Sequence, residues 1–334
     1  MSLSYLLRRI LLVFLIIWSA ATLNFFIPKL TPRNPLREKM LEQASRSGYI
    51  PPGFEEMVKS YEKKFGLDQP VWKQYLTYMN DMAHFNLGYS ISNFPKTVPE
   101  LIGQAIWWTI GLLTATTLIS FFLGTLLGAL MAWSRSSFIF RQVVPSLLVL
   151  GAVPPFIVGL LLIYLVAFKW QLLPLGGAYD TNNLPTWDFS FFLDILKHSI
   201  LPALAFILTT AGGWAIGMRG MMVTVQGEDY MTFAEAKGLK NWRLFYKYAV
   251  RNALLPQITG LAISFSYIVG GSVLVESVFR YPGLGSLLAT AIRQLDYFLI
   301  YGIVFILVVA IGIAMFIVDL IYPLLDPRIA YEGK

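Results

Sequence analysis

The chain has 334 residues, of which 56% are hydrophobic and only 13% charged. Soluble globular domains carry about 25% charge, so this composition excludes an ordinary soluble fold and makes the bilayer the natural solvent. The formal net charge of +7 fits basic loops on the cytoplasmic face of a membrane protein and gives no reason to expect nucleic acid. Cysteine is absent, which rules out disulfides, thiol catalysis and thiolate metal sites. The two histidines, His84 and His198, stand far apart in the chain, and no metal site is expected.

The first apolar run, Ile10–Ile27, follows Arg8 and Arg9. A basic start and an apolar run also describe a secretory signal, with Ser19-Ala20-Ala21 as a cleavage region. The run continues to Ile27 and further spans follow, which favours a retained signal-anchor helix. A long polar stretch from Pro32 to Pro99 comes next. Within it, Phe54–Phe65 and Trp72–Phe85 show broken helical periodicity and are separated by Gly66-Leu67-Asp68-Gln69-Pro70. This reads as a small helical cap with too few apolar residues for a core of its own.

Further apolar runs follow at Gly103–Trp133, Val143–Phe168, Ser199–Val223, Leu255–Val278 and Tyr297–Leu325. About 20 residues span the hydrocarbon core, and the Pro and Gly in these runs are tolerated where neighbours satisfy the freed backbone. No Ser/Gly linker divides them. The expected fold is all-α and integral to the membrane, with six transmembrane helices and a long extracytoplasmic insertion between the first two. Residues 1–31 form the N-terminal helix and 32–99 the cap. Residues 100–325 form a five-helix core that contains a cytoplasmic hairpin at 223–253, and 326–334 form a tail.

Orientation follows from the short connections. With the N-terminus inside, one face collects Arg8, Arg9, Arg135, Arg141, Arg219, Lys237, Lys240, Arg243, Lys247, Arg251, Arg328 and Lys334. The opposite short loops hold Lys169, Lys197, Arg280 and Arg293. Both termini are therefore expected in the cytoplasm of a multi-pass protein.

The connection from Arg219 to Arg251 is the most informative segment. Asp229 is placed to cap a short helix, Tyr230–Lys237, and Gly238 suits the left-handed residue beyond its end. A second helix over Asn241–Ala253 puts Lys240, Arg243, Lys247 and Arg251 on one stripe. Trp242, Phe245, Tyr246, Ala249, Val250 and Ala253 are expected largely on another side. Such a hairpin can lie on lipid phosphates or dock a cytoplasmic partner. The small residues Ala234, Ala236 and Gly238 permit close backbone approach and favour docking.

The run Asp229-Tyr230-Met231-Thr232-Phe233-Ala234-Glu235-Ala236-Lys237-Gly238-Leu239, followed by Arg251-Asn252-Ala253-Leu254-Leu255-Pro256, resembles the coupling loop of binding-protein-dependent ABC importer permeases. The resemblance is to the first permease subunit of the oligopeptide/dipeptide branch. It extends in order through Gly66-Leu67-Asp68-Gln69-Pro70, Leu87-Gly88-Tyr89-Ser90, Glu276-Ser277-Val278-Phe279-Arg280-Tyr281-Pro282-Gly283-Leu284-Gly285 and Leu324-Leu325-Asp326-Pro327-Arg328. One departure is Thr232-Phe233-Ala234 where the broader family has Glu-Ala-Ala, and Gly238 to Pro256 is a longer interval than usual.

The resemblance implies a type I ABC importer fold in a bacterial or archaeal cytoplasmic membrane. It implies as partners a second homologous permease subunit, two cytoplasmic ATPase subunits, an extracytoplasmic substrate-binding protein and membrane lipid. It also implies that Tyr230, Ala234, Glu235, Ala236, Lys237, Gly238 and Leu239 couple to the ATPases. ATP and Mg are then bound by the partners, and this chain is no enzyme. It has no GxxxxGK[ST] phosphate loop, its Gly-Lys pair being Gly333-Lys334.

Trp214, Met218, Phe265 and Tyr267 are candidates for the substrate path, against an alternative as packing or interfacial aromatics. Trp107 and Trp108 are open to the same two readings. The turn Tyr281-Pro282-Gly283 is a candidate gate or contact for the binding protein. Glu276 and Asp319 lie near membrane boundaries, where structural roles compete with functional ones. Oligopeptides and oligosaccharides both remain as cargo. The stretch Gly212–Met222 resembles members of the family that carry cello-oligosaccharides. An ion-driven secondary transporter would favour paired charges at mid-membrane and an internal repeat, neither of which is evident.

Overall fold

The structure is a computed structural model describing residues 3–30, 37–38, 40–41, 45, 48, 53–133, 146, 149–183, 185–186, 188–268 and 273–325. Among these, the regular elements are helical, with one isolated antiparallel bridge between Tyr89 and Thr97. In chain order they are α1 (Leu3–Lys29), α2 (Phe54–Lys64), α3 (Val71–Ala83), α4 (Val98–Ala132) and α5 (Pro155–Leu162), which a π-helical stretch continues over Ile163–Lys169. There follow α6 (Phe189–Gln226), α7 (Asp229–Ala236), α8 (Asn241–Arg243), a second π-helical stretch over Leu244–Val250, and α9 (Arg251–Ile268). The last elements are α10 (Val273–Val278), α11 (Leu284–Arg293) and α12 (Tyr297–Leu325).

Among the described residues four helices, α1, α4, α6 and α12, contain runs long and apolar enough to cross a membrane. Two expected spans are described only in part. Of the third, residues 146 and 149–151 and the stretch Pro155–Lys169 are helical, and residues 143–145, 147 and 148 lie outside the described residues. Of the fifth, the described parts are α9 up to Ile268 and α10 from Val273, and 269–272 lie outside the described residues. The fourth is longer than its apolar core, because α6 starts at Phe189 rather than Ser199. Asp188 caps that start through bonds from the Phe189 amide (2.7 Å) and the Ser190 hydroxyl (2.6 Å), which hold its carboxyl below the usual range. His198 pairs with Asp194 one turn back at 3.1 Å, so polar residues that interrupt the apolar run do not interrupt the helix. The expected tail 326–334, with Arg328 and Lys334, lies outside the described residues, as do Arg135, Arg141 and the side chains of Tyr267 and Asp319.

The chain divides into two compact units. The first comprises Met1–Trp107 and Gly283–Phe316. Its core gathers Phe25, Tyr78, Met82, Leu87, Val98, Leu284, Leu299, Tyr301 and Ile303. Helix α3 is tied to α1 by Thr22 with the Tyr75 hydroxyl (2.8 Å) and by Asn24 with that of Tyr78 (3.3 Å). These contacts seat the segment before α4 on α1. The buried Asp296 stands just before α12 and accepts from the Leu299 amide at 3.2 Å, a side-chain cap of that helix. The same carboxylate accepts from the Ser90 hydroxyl and from the amides of Ile91 (3.2 Å) and Ser92 (2.8 Å), which fastens the loop before α4.

The second unit comprises Trp108–Pro282 and Ile317–Lys334. Within it, α4 packs closely against α6. A Cβ on Gly124 would lie 2.5 Å from the Ala211 carbonyl oxygen, and one on Gly128 would lie 2.1 Å from that of Ala215. Glycines four apart on α4 thus meet alanines four apart on α6, a small-residue contact of the kind that lets membrane helices approach backbone to backbone.

Candidate functional site

The hairpin after α6 is built on a buried face that changes period. Leu244, Ala249, Ala253 and Gln257 are buried, at spacings of five, four and four. The step of five falls in the π-helical stretch Leu244–Val250, where the repeat is wider than 3.6 residues. The π turn keeps one face inward, and the second arm runs on into α9 without a break. The expected division of charges and aromatics therefore changes. Trp242 (59% exposed) and Tyr246 (68%) share the outer face with the exposed Arg243, Lys247 and Arg251, and the Arg243 guanidinium lies 5.6 Å from the Trp242 ring centre. Phe245 turns in against Trp133 at 5.2 Å between ring centres.

The first arm, α7, is anchored from below. Met231 and Ala234 are buried in a cluster with Met218, Met222, Leu244, Ala249 and Ala253. The Tyr230 hydroxyl accepts from Asn252 at 3.0 Å, bracing α7 against the second arm. The helix ends on Gly238, whose φ of +72° is left-handed and suits glycine. The Gly238 amide bonds the Glu235 carbonyl at 2.8 Å and the Leu239 amide that of Ala234 at 3.4 Å, which closes the last turn. Glu235, Ala236, Lys237 and Gly238 are exposed, Tyr230 is 37% exposed and Leu239 is half-buried. Phe233 is 63% exposed and lies under the Lys237 ammonium, 4.5 Å from the ring centre.

Above this anchor, α4, α6 and α9 line an open pocket of about 280 Å³ formed by Leu113, Thr116, Thr117, Phe206, Thr210, Trp214, Ser264 and Ile268. Trp214 is held edge-on by Phe121 at 5.2 Å. Thr116 and Ser264 donate to carbonyls of their own helices, at 3.0 and 2.9 Å, and the Thr210 hydroxyl lies 2.8 Å from both the Phe206 carbonyl and the Ser120 hydroxyl. A hydroxyl has one hydrogen, so oxygens satisfied in this way offer acceptor lone pairs to the cavity. No charged side chain is among its lining residues.

At the end of α10 the buried Glu276 accepts from Thr109 of α4 at 2.9 Å. Tyr281, 3% exposed, meets Trp108 edge-on at 5.8 Å and Ser199 at 3.2 Å through its hydroxyl; burial pushes its phenol up. Pro282 is exposed and Gly283 buried. The 170s loop packs on this turn: the Gly177 amide bonds the Phe279 carbonyl at 2.8 Å, and a Cβ on Gly176 would lie 2.3 Å from that oxygen.

Residues 124–331 match the family described as binding-protein-dependent transport system inner membrane component. The chain is 33% identical to the oligopeptide transport system permease protein AppB of Bacillus subtilis, across 98% of this chain and 99% of that one. It is 32% identical to a probable peptide ABC transporter permease of Sinorhizobium fredii over 98% and 99%. It is 30% identical to the dipeptide transport system permease protein DppB of Escherichia coli over 99% of each. The chain belongs to this family of transport-system membrane components.

In this permease the expected coupling residues are brought together, but they face two ways. Ala234 points into the supporting cluster, while Glu235, Ala236, Lys237 and Gly238 face out. Phe233, absent from the sequence-based set, is the large apolar side chain that α7 presents; its place on the face opposite Met231 and Ala234 was the signal. Of the expected path residues, Trp214 lines the cavity. Met218 is fully buried in the cluster under α7. Phe265 is half-buried and outside the lining, and the side chain of Tyr267 lies outside the described residues. Thr116, Thr117, Thr210 and Ser264 were missed, because single hydroxyls in apolar runs carry no pattern until three helices bring them together.

Proposed function

We propose that this permease is one of two homologous subunits forming the translocation pathway of an ATP-driven importer, and that its cargo is a peptide. The cargo reading is supported by relatives named for oligopeptide and dipeptide transport that align over almost the whole chain. A cavity offering hydroxyl acceptors, two aromatic rings and no charge also suits peptide N–H groups and varied side chains.

The observation that carries the reading is α7, fixed by Met231 and Ala234 and exposing Phe233, Glu235 and Lys237. We assign it as the coupling helix that inserts into a groove of one of two cytoplasmic ATPase subunits, which bind ATP and Mg. A helix rooted in the same cluster as Met218 and Met222 of α6 moves as a lever: displacement of Phe233 displaces the helix that carries Trp214. Shifting a two-state equilibrium from 1:99 to 99:1 takes about 5.5 kcal/mol, which closure of an ATPase pair can deliver only through a rigid contact.

The remaining assignments follow that polarity. Six spans comprise α1, α4, Pro155–Lys169 with the residues before it, α6, α9 with α10, and α12. Both termini are cytoplasmic, and residues 32–99 form an extracytoplasmic cap. The turn at Tyr281, Pro282 and Gly283 gates the outer mouth or meets the substrate-binding protein.

Reconstitution with the second permease, both ATPases and the binding protein tests this. Oligopeptides are expected to stimulate ATP hydrolysis, and Phe233→Asp to abolish the stimulation while membrane insertion is kept. Stimulation by cello-oligosaccharides alone would overturn the cargo assignment. Transport without any ATPase would overturn the mechanism in favour of an ion-driven carrier.

A further inference from the structure

The first unit holds a cavity of about 460 Å³ that shares no lining residue with the hydroxyl-lined one. Cavities of roughly 300–1,000 Å³ are of ligand size. Its floor is the last turn of α1 with Phe25 and Lys29 and the first turns of α12 with Tyr297 and Tyr301; its far wall is α3. Both α1 and α12 are candidate membrane spans, so the cavity stands where hydrocarbon gives way to water. Among the lining residues, Lys29 is the single base and Asp81 the single acid.

The charges are placed rather than loose. Gln74 donates to the carbonyls of Gln69 (2.6 Å) and Leu67 (3.1 Å), which fixes its amide. Its side-chain oxygen then takes a hydrogen bond from the Lys29 ammonium, which lies 5.1 Å from the Phe25 ring centre. An ammonium has three donors, and Gln74 uses one. Asp81 Oδ1 takes a 3.3 Å bond from Asn86, and an ionised carboxylate accepts several. In the same lining Phe25, Tyr78 and Tyr301 form an aromatic cluster, with ring centres 5.3–6.0 Å apart.

We propose that this cavity binds an amphipathic zwitterion, with its anionic group on Lys29, its ammonium on Asp81 and its apolar body against Phe25, Tyr78 and Tyr301. The position of Lys29 at the end of a span, beside the exposed Ile27 and Leu30, makes the site reachable from the membrane and from water. Two sources share this chemistry: a phospholipid with an ethanolamine headgroup, and a free apolar dipeptide.

The test uses the full-length chain with its partner subunits in phosphatidylglycerol nanodiscs. In one arm, calorimetry compares Leu-Phe with its N-acetylated and C-amidated forms. In the other, phosphatidylethanolamine is added and the lipid retained by the complex is counted by native mass spectrometry. A dipeptide ligand binds with each blocked form weakened at least tenfold; a lipid ligand is retained in preference to phosphatidylglycerol. In either case Lys29→Gln and Asp81→Asn abolish the signal, whereas Trp214→Ala leaves it, which separates this site from the translocation cavity. The blocked dipeptides and the lipid comparison act on the unaltered chain, so misfolding of a variant cannot decide the result. Absence of both signals, or signals indifferent to the blocking groups and to both substitutions, overturns the proposal.

Discussion

The hydroxyl of Thr109 donates to the carboxyl of Glu276 across 2.9 Å, with both residues fully buried. The bond ties α4 to the helix that leads into the Tyr281 turn. Loss of one buried side-chain hydrogen bond costs about 0.5–1.5 kcal/mol. Thr109→Ala is therefore expected to lower the unfolding temperature of the purified permease, followed by tryptophan fluorescence, while Thr109→Ser keeps it near that of the parent. Equal stability of the alanine variant would show that the bond contributes nothing.

The close approach of α4 and α6 makes a second, position-dependent expectation. Gly128→Ala would set a methyl 2.1 Å from a backbone oxygen, and overpacking of this kind costs about 1–3 kcal/mol. A Cβ at Gly111, on the same helix, would meet nothing within 4 Å. Gly111→Ala is expected to be neutral or to stabilise by about 0.5–1 kcal/mol, the helix-interior preference for alanine. Detergent-stability assays should show a loss for Gly128→Ala and none for Gly111→Ala.

How much of this was legible in the sequence depended on the kind of signal. Long apolar runs gave α4 and α12 to within a few residues, since hydrocarbon demands length and apolarity and little else. The start of α6 was hidden because Lys197 and His198 break the apolar run, although His198 contacts Asp194 one turn back within the helix. The second arm of the hairpin was read with a period of 3.6, which placed Trp242 and Tyr246 away from the basic stripe. The π stretch over Leu244–Val250 rotates them onto it, and a π turn has no sequence signature of its own. Gly238 was legible because a left-handed helix end asks for glycine. The hydroxyl-lined cavity was not, since Thr116, Thr210 and Ser264 meet only through tertiary packing.

Alkaline pH should loosen the contact between α3 and α1. Burial pushes the Tyr78 phenol up to about 12, against about 10 for a solvated tyrosine. A folded-state pKa above the unfolded one gives a stabilising term present in full below pH 10 and lost as pH rises from 10 through 12. Unfolding temperatures across that window should fall less steeply for Tyr78→Phe than for the parent chain. Parallel curves would mean that Tyr78 ionises as freely as a solvated phenol.

Gly238 separates backbone strain from steric contact. Its φ is +72°, and a Cβ there would meet nothing within 4 Å, so Gly238→Ala carries only the cost of a left-handed alanine, about 1–2 kcal/mol. The end of α7 is expected to reorganise, and peptide-stimulated ATP hydrolysis in the reconstituted importer to fall several-fold. Gly238→Asn, which tolerates this conformation better, should retain most of the stimulation.

The account turns on α7 as the part that an ATPase grips. Because the chain contains no cysteine, single cysteines can be introduced without background and cross-linked in the assembled complex. Phe233→Cys, on the outer face, should link to an ATPase subunit at high yield and in a manner sensitive to nucleotide, while Met231→Cys, on the buried face, should not. Cross-linking of Phe233→Cys to lipid alone, with no ATPase adduct in any nucleotide state, would contradict the coupling role and leave α7 as a membrane-surface helix.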